Sequence, residues 1–233
     1  MSAEEKLGAL AIESQEKDEQ EVVADAVPVD YSSAEDKEVA TTPPRIARFE
    51  KVSFETFLES YKPNWIAMQK QLQNVPEGEA FGYDRQQLEE DTRKIWEAIQ
   101  LPRRSTANSA GYDFFFPYGH TEIPAGASIM VPTGIKAYID PCWVLVEAPR
   151  SGLGMTYRLQ LDNTIGIVDA DYYNNKKNEG HIFVKLTNDS REGLVCVFEQ
   201  QSRFCQGVFL PYGITVDDDV TTEREGGLGS TGA

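Results

Sequence analysis

The sequence has few residues of the two types that build metal centres and disulfide frameworks. It contains three cysteines, at Cys142, Cys196 and Cys205, and two histidines, at His120 and His181. The cysteines are odd in number and widely spaced, which fits reduced cytosolic thiols better than a set of disulfides. With two histidines and no Cys-x-x-Cys motif, the sequence argues against a zinc site built by the protein.

Basic residues and long apolar runs are also scarce. Lysine and arginine number 22 against 38 acidic residues, and the formal net charge is -16. This balance argues against binding to nucleic acid, because an acidic surface repels a phosphate backbone. No apolar run is long enough for a signal peptide or a membrane span, and the first residues, Met1-Ser2-Ala3-Glu4-Glu5, include no basic region. We therefore expect a cytoplasmic protein that binds neither nucleic acid nor membrane.

The acidic residues are concentrated at the N-terminus. Residues 1–40 hold twelve acids and three bases, and Tyr31 is their one aromatic residue. Such a segment buries too little apolar surface to offset the entropy of ordering it. We predict a disordered acidic tail over residues 1–44, which ends at Thr41-Thr42-Pro43-Pro44. The tail serves either as a solubilising extension or as a contact for a protein partner.

Helical periodicity follows over residues 45–100. Ser53 is a suitable N-cap for a first helix, and Pro63 is expected either to end it or to kink it before a continuation through Trp65, Ile66 and Leu72. Asp84, with Gln87 three residues on as in a capping box, begins a second amphipathic helix. The apolar faces consist of Phe54, Phe57, Leu58 and Tyr61 in the first helix and of Leu88, Thr92, Ile95, Trp96 and Ile99 in the second. Such faces either bind a partner or, far more commonly, pack on the core of their own domain.

From Leu101 to about Val216 the chain consists of short β-like runs separated by prolines and glycines. The strand-length runs are residues 128–131, 135–139, 143–146, 182–186 and 194–198. Short strands at this spacing, with no long helices between them, predict an all-β domain over residues 101–216, most simply a jelly roll. Residues 217–233 are polar and glycine-rich, and we predict a flexible C-terminal arm.

Two segments have the composition of phosphate-binding turns. Pro149-Arg150-Ser151-Gly152-Leu153-Gly154 offers a guanidinium, a hydroxyl and small residues that let backbone N–H groups approach an anion. The segment from Arg224 to Gly232 has the same combination, but it lacks the lysine and the following helix of a Walker P-loop. Each segment alone is equally well a tight turn or a flexible linker.

Three aspartates complete the set of candidate residues. Asp113 ends the run Ser109-Ala110-Gly111-Tyr112-Asp113, and Asp169 and Asp171 lie in Gly166-Ile167-Val168-Asp169-Ala170-Asp171-Tyr172. If the second run is a strand edge or a hairpin, Asp169 and Asp171 share one face. Such carboxylates either face a pocket or accept backbone hydrogen bonds in a turn.

The order of these motifs resembles that of the trimeric deoxyuridine triphosphate nucleotidohydrolases, or dUTPases. Five segments match in the family's order: Ser109 to Asp113, Pro149 to Leu153, Asn163 to Tyr172, Arg203-Phe204-Cys205-Gln206, and Gly226-Gly227-Leu228-Gly229-Ser230-Thr231-Gly232. The match spans residues 101–233. The run from Asp171 to Ile182 resembles the version found in Gram-positive bacteria and their phages.

The resemblance implies hydrolysis of dUTP to dUMP and pyrophosphate, with water attacking the α-phosphorus and Mg²⁺ bound by the triphosphate. This reaction keeps uracil out of DNA and supplies dUMP. Asp169 matches the carboxylate that orients and deprotonates the water; because an ordinary aspartate is a weak base at pH 7, we expect it to act mainly by positioning. Asp113 matches the acid that holds a water on the metal.

The resemblance also assigns residues that grip the phosphates. Arg150, Ser151 and Gly152 match the phosphate-binding turn. Gln206 matches the residue that contacts the α-phosphate or the attacking water, and Arg203 is expected to brace the C-terminal arm.

Selectivity for deoxyuridine follows from three further matches. Asn163 matches the position that pairs with the uracil edge, where cytosine would bring donors against donors, and Gly166 in the same segment is a further substrate-binding candidate. Tyr172 matches the tyrosine whose ring lies under the deoxyribose and leaves no space for a 2′-hydroxyl. A strand aromatic packed in the core is the alternative for Tyr172.

The C-terminal arm contributes the last candidates. Arg224, Gly229, Ser230 and Thr231 match arm residues that contact the nucleotide. Leu228 stands where the family has a phenylalanine that stacks on uracil, and losing that stack removes about 0.5–1.5 kcal/mol, so we expect a raised KM with intact catalysis. Because three chains build three sites in this family, the resemblance implies a homotrimer.

Two other functions stay open. A dCTP deaminase shares this fold and would release ammonia from dCTP, although the run from Val168 to Tyr172 and the glycine-rich arm fit the hydrolase better. A non-catalytic or regulatory binding protein on the dUTPase scaffold, acting alone or beside catalysis, would use the acidic tail and the helical segment as contact surfaces.

Overall fold

A computed structural model describes residues 42–222 together with residues 224 and 226. Most of the acidic tail predicted over residues 1–44 therefore lies outside the described residues. The helices are α1 (Phe54–Leu72), α2 (Arg85–Ala98) and the short α3 (Ser151–Tyr157). The strands are β1 (Ala47–Lys51), β2 (Arg103–Arg104), β3 (Tyr112–Phe115), β4 (Thr121–Ile123), β5 (Ser128–Pro132), β6 (Ile135–Ile139), β7 (Trp143–Pro149), β8 (Leu159–Leu161), β9 (Gly166–Val168), β10 (Phe183–Asn188), β11 (Cys196–Phe198) and β12 (Arg203–Pro211). A 3-10 turn covers Ala170–Tyr172.

Helix α1 begins where the sequence predicts and extends past Pro63. The Ser53 hydroxyl accepts a hydrogen bond from the Thr56 backbone N–H at 3.2 Å, as an N-cap does. The helix does not end at Pro63 but continues to Leu72. Phe57 and Trp65, on either side of the proline, are both buried. Their packing outweighs the loss of one backbone hydrogen bond at Pro63.

Helix α2 confirms the predicted cap at Asp84, whose carboxylate accepts from the Gln86 N–H at 2.8 Å. Gln87 does not return to the cap as a capping box requires; its amide donates to Asp91 at 2.9 Å. Asp91 also accepts from the indole N–H of Trp65 at 3.1 Å, which joins α2 to α1. The predicted apolar face of α2 is buried or partly buried on the core: Leu88, Thr92, Ile95, Trp96 and Ile99.

The strands pair in antiparallel ladders, and the five predicted strand runs all contain strands. Hydrogen bonding among the described residues gives sheets of order β5-β10-β8, β1-β6, β11-β4 and β2-β3-β12-β7-β9. In the five-stranded sheet, the long strand β12 pairs with β3 on one side and with β7 on the other. The described part of the chain is therefore strand-rich, with its two long helices in the N-terminal segment.

Strand β1 was not predicted from the sequence. Residues Ala47 to Lys51 pair antiparallel with β6, from Ala47 opposite Ile139 to Lys51 opposite Ile135. The run Ala-Arg-Phe-Glu-Lys has little apolar alternation, so its strand form depends on tertiary packing. Phe49 supplies this packing, with its ring centroid 5.4–5.7 Å from those of three aromatic residues: Tyr112, Phe114 and Phe209.

The two long helices pack closely on the β core. Gly134, between β5 and β6, has φ of +73°, and a Cβ built there would lie 2.3 Å from the Ile99 side chain. Only glycine allows this approach of helix and sheet. No helix within the described residues is long and apolar enough to cross a membrane.

Candidate functional site

A pocket of about 390 Å³ opens beside β9 and the 3-10 turn that follows it. Its walls combine apolar side chains with several acids and bases, the composition expected of a small-molecule site. The lining residues are Met130, Glu147, Leu161, Asp162, Asn163, Gly166, Ile167, Val168, Asp169, Tyr172, Ile182, Phe183, Lys185 and Arg224. Five residues predicted from the sequence therefore meet in one place: Asn163, Gly166, Asp169, Tyr172 and Arg224.

Asn163 lies in the tight turn between β8 and β9. An isolated bridge between Leu161 and Thr164 closes the turn, and the Ile165 N–H donates to the Asn163 carbonyl at 2.7 Å. The neighbouring Asp162 carboxylate is held by the Lys185 ammonium at 2.6 Å. The backbone of the turn is thus fixed at the pocket wall, while β8 and β9 continue into separate sheets.

Asp169 and Asp171 lie outside strand β9, and the interpretation of their segment as a strand edge is therefore wrong. Strand β9 ends at Val168, and Ala170–Tyr172 form the 3-10 turn. Both carboxylates nevertheless meet the Arg224 guanidinium, Asp169 at 2.6 Å and Asp171 at 2.8 Å. Because the Asp169 side chain is 49% exposed, it is open to solvent and ligand.

Tyr172 presents its ring to the pocket and buries its hydroxyl. The hydroxyl donates to the His181 carbonyl at 2.9 Å and accepts from the Asn178 amide at 2.8 Å. The Arg224 guanidinium carbon lies 5.7 Å from the ring centre. Burial raises the pKa of Tyr172, so the phenol stays neutral and its ring position is fixed by two hydrogen bonds.

Glu147 is a pocket residue that sequence reasoning missed. Its side chain is 2% exposed, and burial raises its pKa to about 8. Its Oε1 has no hydrogen-bond partner within the part of the chain that the structure describes. The signal was an acid in the otherwise apolar strand Trp143–Pro149, immediately before the arginine-serine segment.

The buried side chain of Glu147 explains why position 166 is a glycine. The two residues are paired across β7 and β9. A Cβ built on Gly166 would lie 2.6 Å from Glu147 Oε2. A larger residue at Gly166 would therefore displace the buried acid.

A second group of predicted residues gathers around Asp113. The carboxylate of Asp113 pairs with Arg150 at 3.0 Å and with Arg203 at 3.3 Å, and it accepts from the Ser105 hydroxyl at 2.8 Å. Strand register creates the cluster, because Gln206 on β12 lies opposite Asp113 on β3 and opposite Ala148 on β7. Three separate sequence motifs thus meet on adjacent strands.

The arginine-serine segment is a short helix rather than an irregular turn. Arg150 is the N-cap residue of α3, and Ser151 and Gly152 are exposed in its first turn. A Cβ on Gly152 would meet nothing within 4 Å, so the backbone there is open to a ligand. The Gln206 amide donates to the Pro149 carbonyl at 3.3 Å and so lies beside this segment.

We call Asp113 with Ser105, Arg150, Arg203 and Gln206 the Asp113 group. No side-chain hydrogen bond or ion pair among residues 42–222, 224 and 226 joins this group to the pocket residues. The Asp113 group lies on β3, on β12 and just after the end of β7, whereas the pocket is built around β9 and the turns on either side of it; β7 also carries the pocket residue Glu147. Four predicted arm residues lie outside the described residues: Leu228, Gly229, Ser230 and Thr231.

A strand-rich domain that combines a pocket of this size with paired aspartates and arginines has the features of a protein that binds phosphorylated small molecules. Comparison with known proteins specifies the family. A sequence-family model described as dUTPase matches residues 97–232. The chain therefore belongs to the dUTPase family.

Two relatives identified by sequence agree with this assignment. A deoxyuridine 5'-triphosphate nucleotidohydrolase from Lactococcus lactis is 42% identical over 138 residues, which are 58% of this chain and 89% of the relative. The protein of that name from Salmonella arizonae is 32% identical over 146 residues, 60% of this chain and 91% of the relative. The crystal structure of a dUTPase from Streptococcus mutans shares 44% identity, covers 51% of this chain and 90% of its own, and superimposes with a TM-score of 0.45.

Proposed function

We propose that this protein hydrolyses dUTP to dUMP and pyrophosphate, which keeps uracil out of DNA and supplies dUMP. The observation that carries the proposal is the pocket in which Asp169 and Tyr172 lie side by side, within the segment that matches the dUTPase family. Its volume of about 390 Å³ suits a nucleoside. We also propose that the strands form a jelly roll.

The uracil edge binds at the turn that carries Asn163. A side-chain amide and fixed backbone groups offer both donors and acceptors, so they match the alternating edge of uracil. The salt bridge between Asp162 and Lys185 keeps this turn in place. Cytosine presents the opposite pattern and leaves donors facing donors, which disfavours its binding.

The deoxyribose lies against the ring of Tyr172. Since both hydrogen-bonding positions of the Tyr172 hydroxyl are occupied by Asn178 and His181, the phenol has little freedom to move aside. A 2′-hydroxyl would meet the face of this fixed ring without a partner. The ring therefore selects dUTP against UTP.

The triphosphate binds at the Asp113 group. Arg150 supplies the guanidinium, and the open backbone of Ser151 and Gly152 supplies N–H donors, all suited to phosphate oxygens. Gln206 approaches the α-phosphate, and Arg203 braces the C-terminal arm.

The triphosphate itself would supply most of the ligands of a Mg²⁺ ion, and such an ion would neutralise charge on the phosphates. Asp113 fits the role of holding a metal-bound water. Its two oxygens already accept from Ser105, Arg150 and Arg203, so the carboxylate is rigidly oriented. It keeps a further lone pair for a water molecule.

Asp169 orients the water that attacks the α-phosphorus. The carboxylate is half exposed and accepts from Arg224, a contact that holds its orientation. Because a guanidinium has five N–H donors, Arg224 can also bind phosphate oxygens while it keeps its contacts with the aspartates. The arm residues Leu228, Gly229, Ser230 and Thr231 then cover the nucleotide.

A homotrimer accounts for the separation of the two residue groups. In such an assembly the Asp113 group of one chain faces the pocket of the next, so that phosphate-binding and nucleoside-binding residues meet across an interface. Exposed apolar residues near the end of β12 supply surface for such contacts: Leu210, Tyr212, Ile214 and Val216. Sedimentation equilibrium measures the mass, and a monomeric enzyme with full activity would contradict the shared site.

The test of the reaction is pyrophosphate release in the presence of Mg²⁺ from dUTP, dTTP, dCTP and UTP. We expect turnover of dUTP alone, lost in Asp169→Asn. Asp171→Asn is the matched control, because Asp171 contacts the same Arg224 but is not assigned to the attacking water. Equal loss in both variants would remove the special role of Asp169, and ammonia release from dCTP would identify a deaminase instead.

A further inference from the structure

The chain has an ordered N-terminal segment that the family match does not include. The match begins at residue 97, whereas β1 and α1 occupy Ala47–Lys51 and Phe54–Leu72. Polar side chains at the start of α1 contact residues 173–182, the loop that leads from the 3-10 turn of the pocket to β10. We call these residues the tyrosine loop, because they follow Tyr172 directly.

Glu179 is the point at which α1 holds the tyrosine loop. Its carboxylate accepts from the Ser53 backbone N–H at 3.0 Å and from the Thr56 hydroxyl at 2.6 Å, and the Ser53 hydroxyl donates to it as well. Lys136 on β6 lies 3.5 Å away. Burial alone would raise its pKa, but the hydrogen bonds from Ser53 and Thr56 prevail and lower the pKa of Glu179 to about 2. The carboxylate is therefore ionised and fully engaged at neutral pH.

The backbone of Glu179 forms hydrogen bonds with the turn that follows Tyr172. The Glu179 N–H donates to the Asn175 carbonyl at 2.9 Å, and its carbonyl accepts from the Asn174 N–H at 3.0 Å. Asn175 in turn donates from its side-chain amide to the Tyr172 carbonyl at 2.9 Å. Glu179 and Asn174 have φ of +58° and +56°, a conformation that non-glycine residues rarely adopt without support.

His181 provides a second attachment to α1. The ring Nε2 accepts from the Gly134 N–H at 2.8 Å, so Nδ1 carries the proton and donates to the Ser60 hydroxyl at 3.1 Å. Burial lowers the pKa of His181 to about 3, which keeps the ring neutral in this role. The carbonyl of the same residue accepts from the Tyr172 hydroxyl. One helix therefore holds the residue to which the pocket tyrosine is bonded.

We propose that Thr56 and Ser60 of α1, through Glu179 and His181, are positioning residues that fix Tyr172 and so sharpen the selection of the sugar. This inference rests on the proposed function, because it names a source of selectivity for that same site. Neither helical residue touches the nucleotide; both act through hydrogen bonds to the tyrosine loop.

The test removes the hydrogen bonds to Glu179 with little change in shape. Thr56→Val deletes the hydroxyl donor, and Glu179→Gln replaces the charged acceptor. For each variant we expect the KM for dUTP to rise about five- to tenfold, with kcat changed less, and the preference for dUTP over UTP in kcat/KM to fall by a similar factor. Thr56→Ser keeps a hydroxyl and should restore both values.

Thr92→Val is the matched control for a merely structural effect. Thr92 is buried on the neighbouring helix α2, and its hydroxyl has no partner among the residues that the structure describes. The same substitution there should leave KM and sugar selectivity as in the wild type. Unchanged selectivity in both Thr56→Val and Glu179→Gln, with both proteins folded, would overturn the proposal.

A second measurement separates this inference from the proposed function. Backbone hydrogen exchange of residues 172–182 should be faster in Thr56→Val than in Thr92→Val, whether or not the protein turns over dUTP. If the wild-type protein does not turn over dUTP but the exchange difference is found, the proposed function and the role in sugar selection are both refuted. The attachment of α1 to the tyrosine loop would then still hold. Equal exchange in the two variants would refute the attachment itself.

Discussion

The buried acid Glu147 makes the stability of this protein depend on pH in a calculable way. Its pKa in the folded protein is about 8, against an ordinary value of 4.5. Between these values the unfolded chain releases the proton while the folded protein retains it. Unfolding is therefore favoured as pH rises, and each pH unit removes about 1.4 kcal/mol from the free energy of unfolding. Burial of Glu147 therefore does not lower the free energy of unfolding below about pH 4.5, and the decrease is complete above about pH 8.

Glu147→Gln abolishes this titration. From pH 5.5 to 7.5 we expect the free energy of unfolding of the variant to rise relative to wild type by about 2–3 kcal/mol. Urea unfolding, followed by tryptophan fluorescence at fixed protein concentration, measures the difference at each pH. The glutamine amide adds a buried donor, but that offset does not vary with pH, so the slope is the observable.

Glu192→Gln is the control for the loss of one negative charge, because Glu192 lies exposed on a turn. Its difference from wild type should not follow the slope expected for Glu147→Gln. A constant difference between Glu147→Gln and wild type across this range would refute the reasoning. It would mean that Glu147 is ionised in the folded protein, with a partner that offsets its burial.

Three further predictions concern the pocket and its arm. Gly166→Ala places a Cβ 2.6 Å from Glu147 Oε2 and should lower the free energy of unfolding by about 1–3 kcal/mol. In a double-mutant cycle with Glu147→Ala, the double variant should recover part of this loss, and strict additivity of the two effects would contradict the contact. Arg224→Ala removes the guanidinium that bridges Asp169 and Asp171 and that we propose binds the phosphates. Steady-state kinetics should therefore show a KM for dUTP raised about fivefold or more. An unchanged KM would exclude Arg224 from nucleotide binding. Leu228→Phe adds a stacking partner for uracil worth about 0.5–1.5 kcal/mol, so the KM should fall about two- to tenfold, and no fall would show that the stack is not formed here.

The strands that sequence reasoning predicted lie in short runs rich in apolar residues of high β propensity, bounded by prolines and glycines. Ile135–Ile139 shows a regular alternation of buried and partly exposed residues, and its bounds agree with the prediction. Strand β1 has no such pattern, because its form depends on Phe49 packing against distant aromatic residues. The continuation of α1 through Pro63 has the same cause, since buried neighbours on both sides of the proline hold the helix together.

The candidate site shows a similar division. The resemblance supplied the residue types and roles, but strand register decides that Gln206 lies opposite Asp113 and that Arg150 and Arg203 share one carboxylate. Glu147 could not be assigned from the sequence, because its raised pKa depends on complete burial by residues far along the chain. The contacts of α1 with Glu179 were equally out of reach, since 123 residues separate Thr56 from its partner.

The central claim is that water attacks the α-phosphorus of dUTP, with release of dUMP and pyrophosphate. Turnover in water enriched in oxygen-18, followed by mass spectrometry of both products, tests this claim most directly. The account predicts one labelled oxygen in dUMP and none in pyrophosphate. Label in pyrophosphate would place the attack at the β-phosphorus, and an absence of dUMP would contradict the proposed reaction altogether.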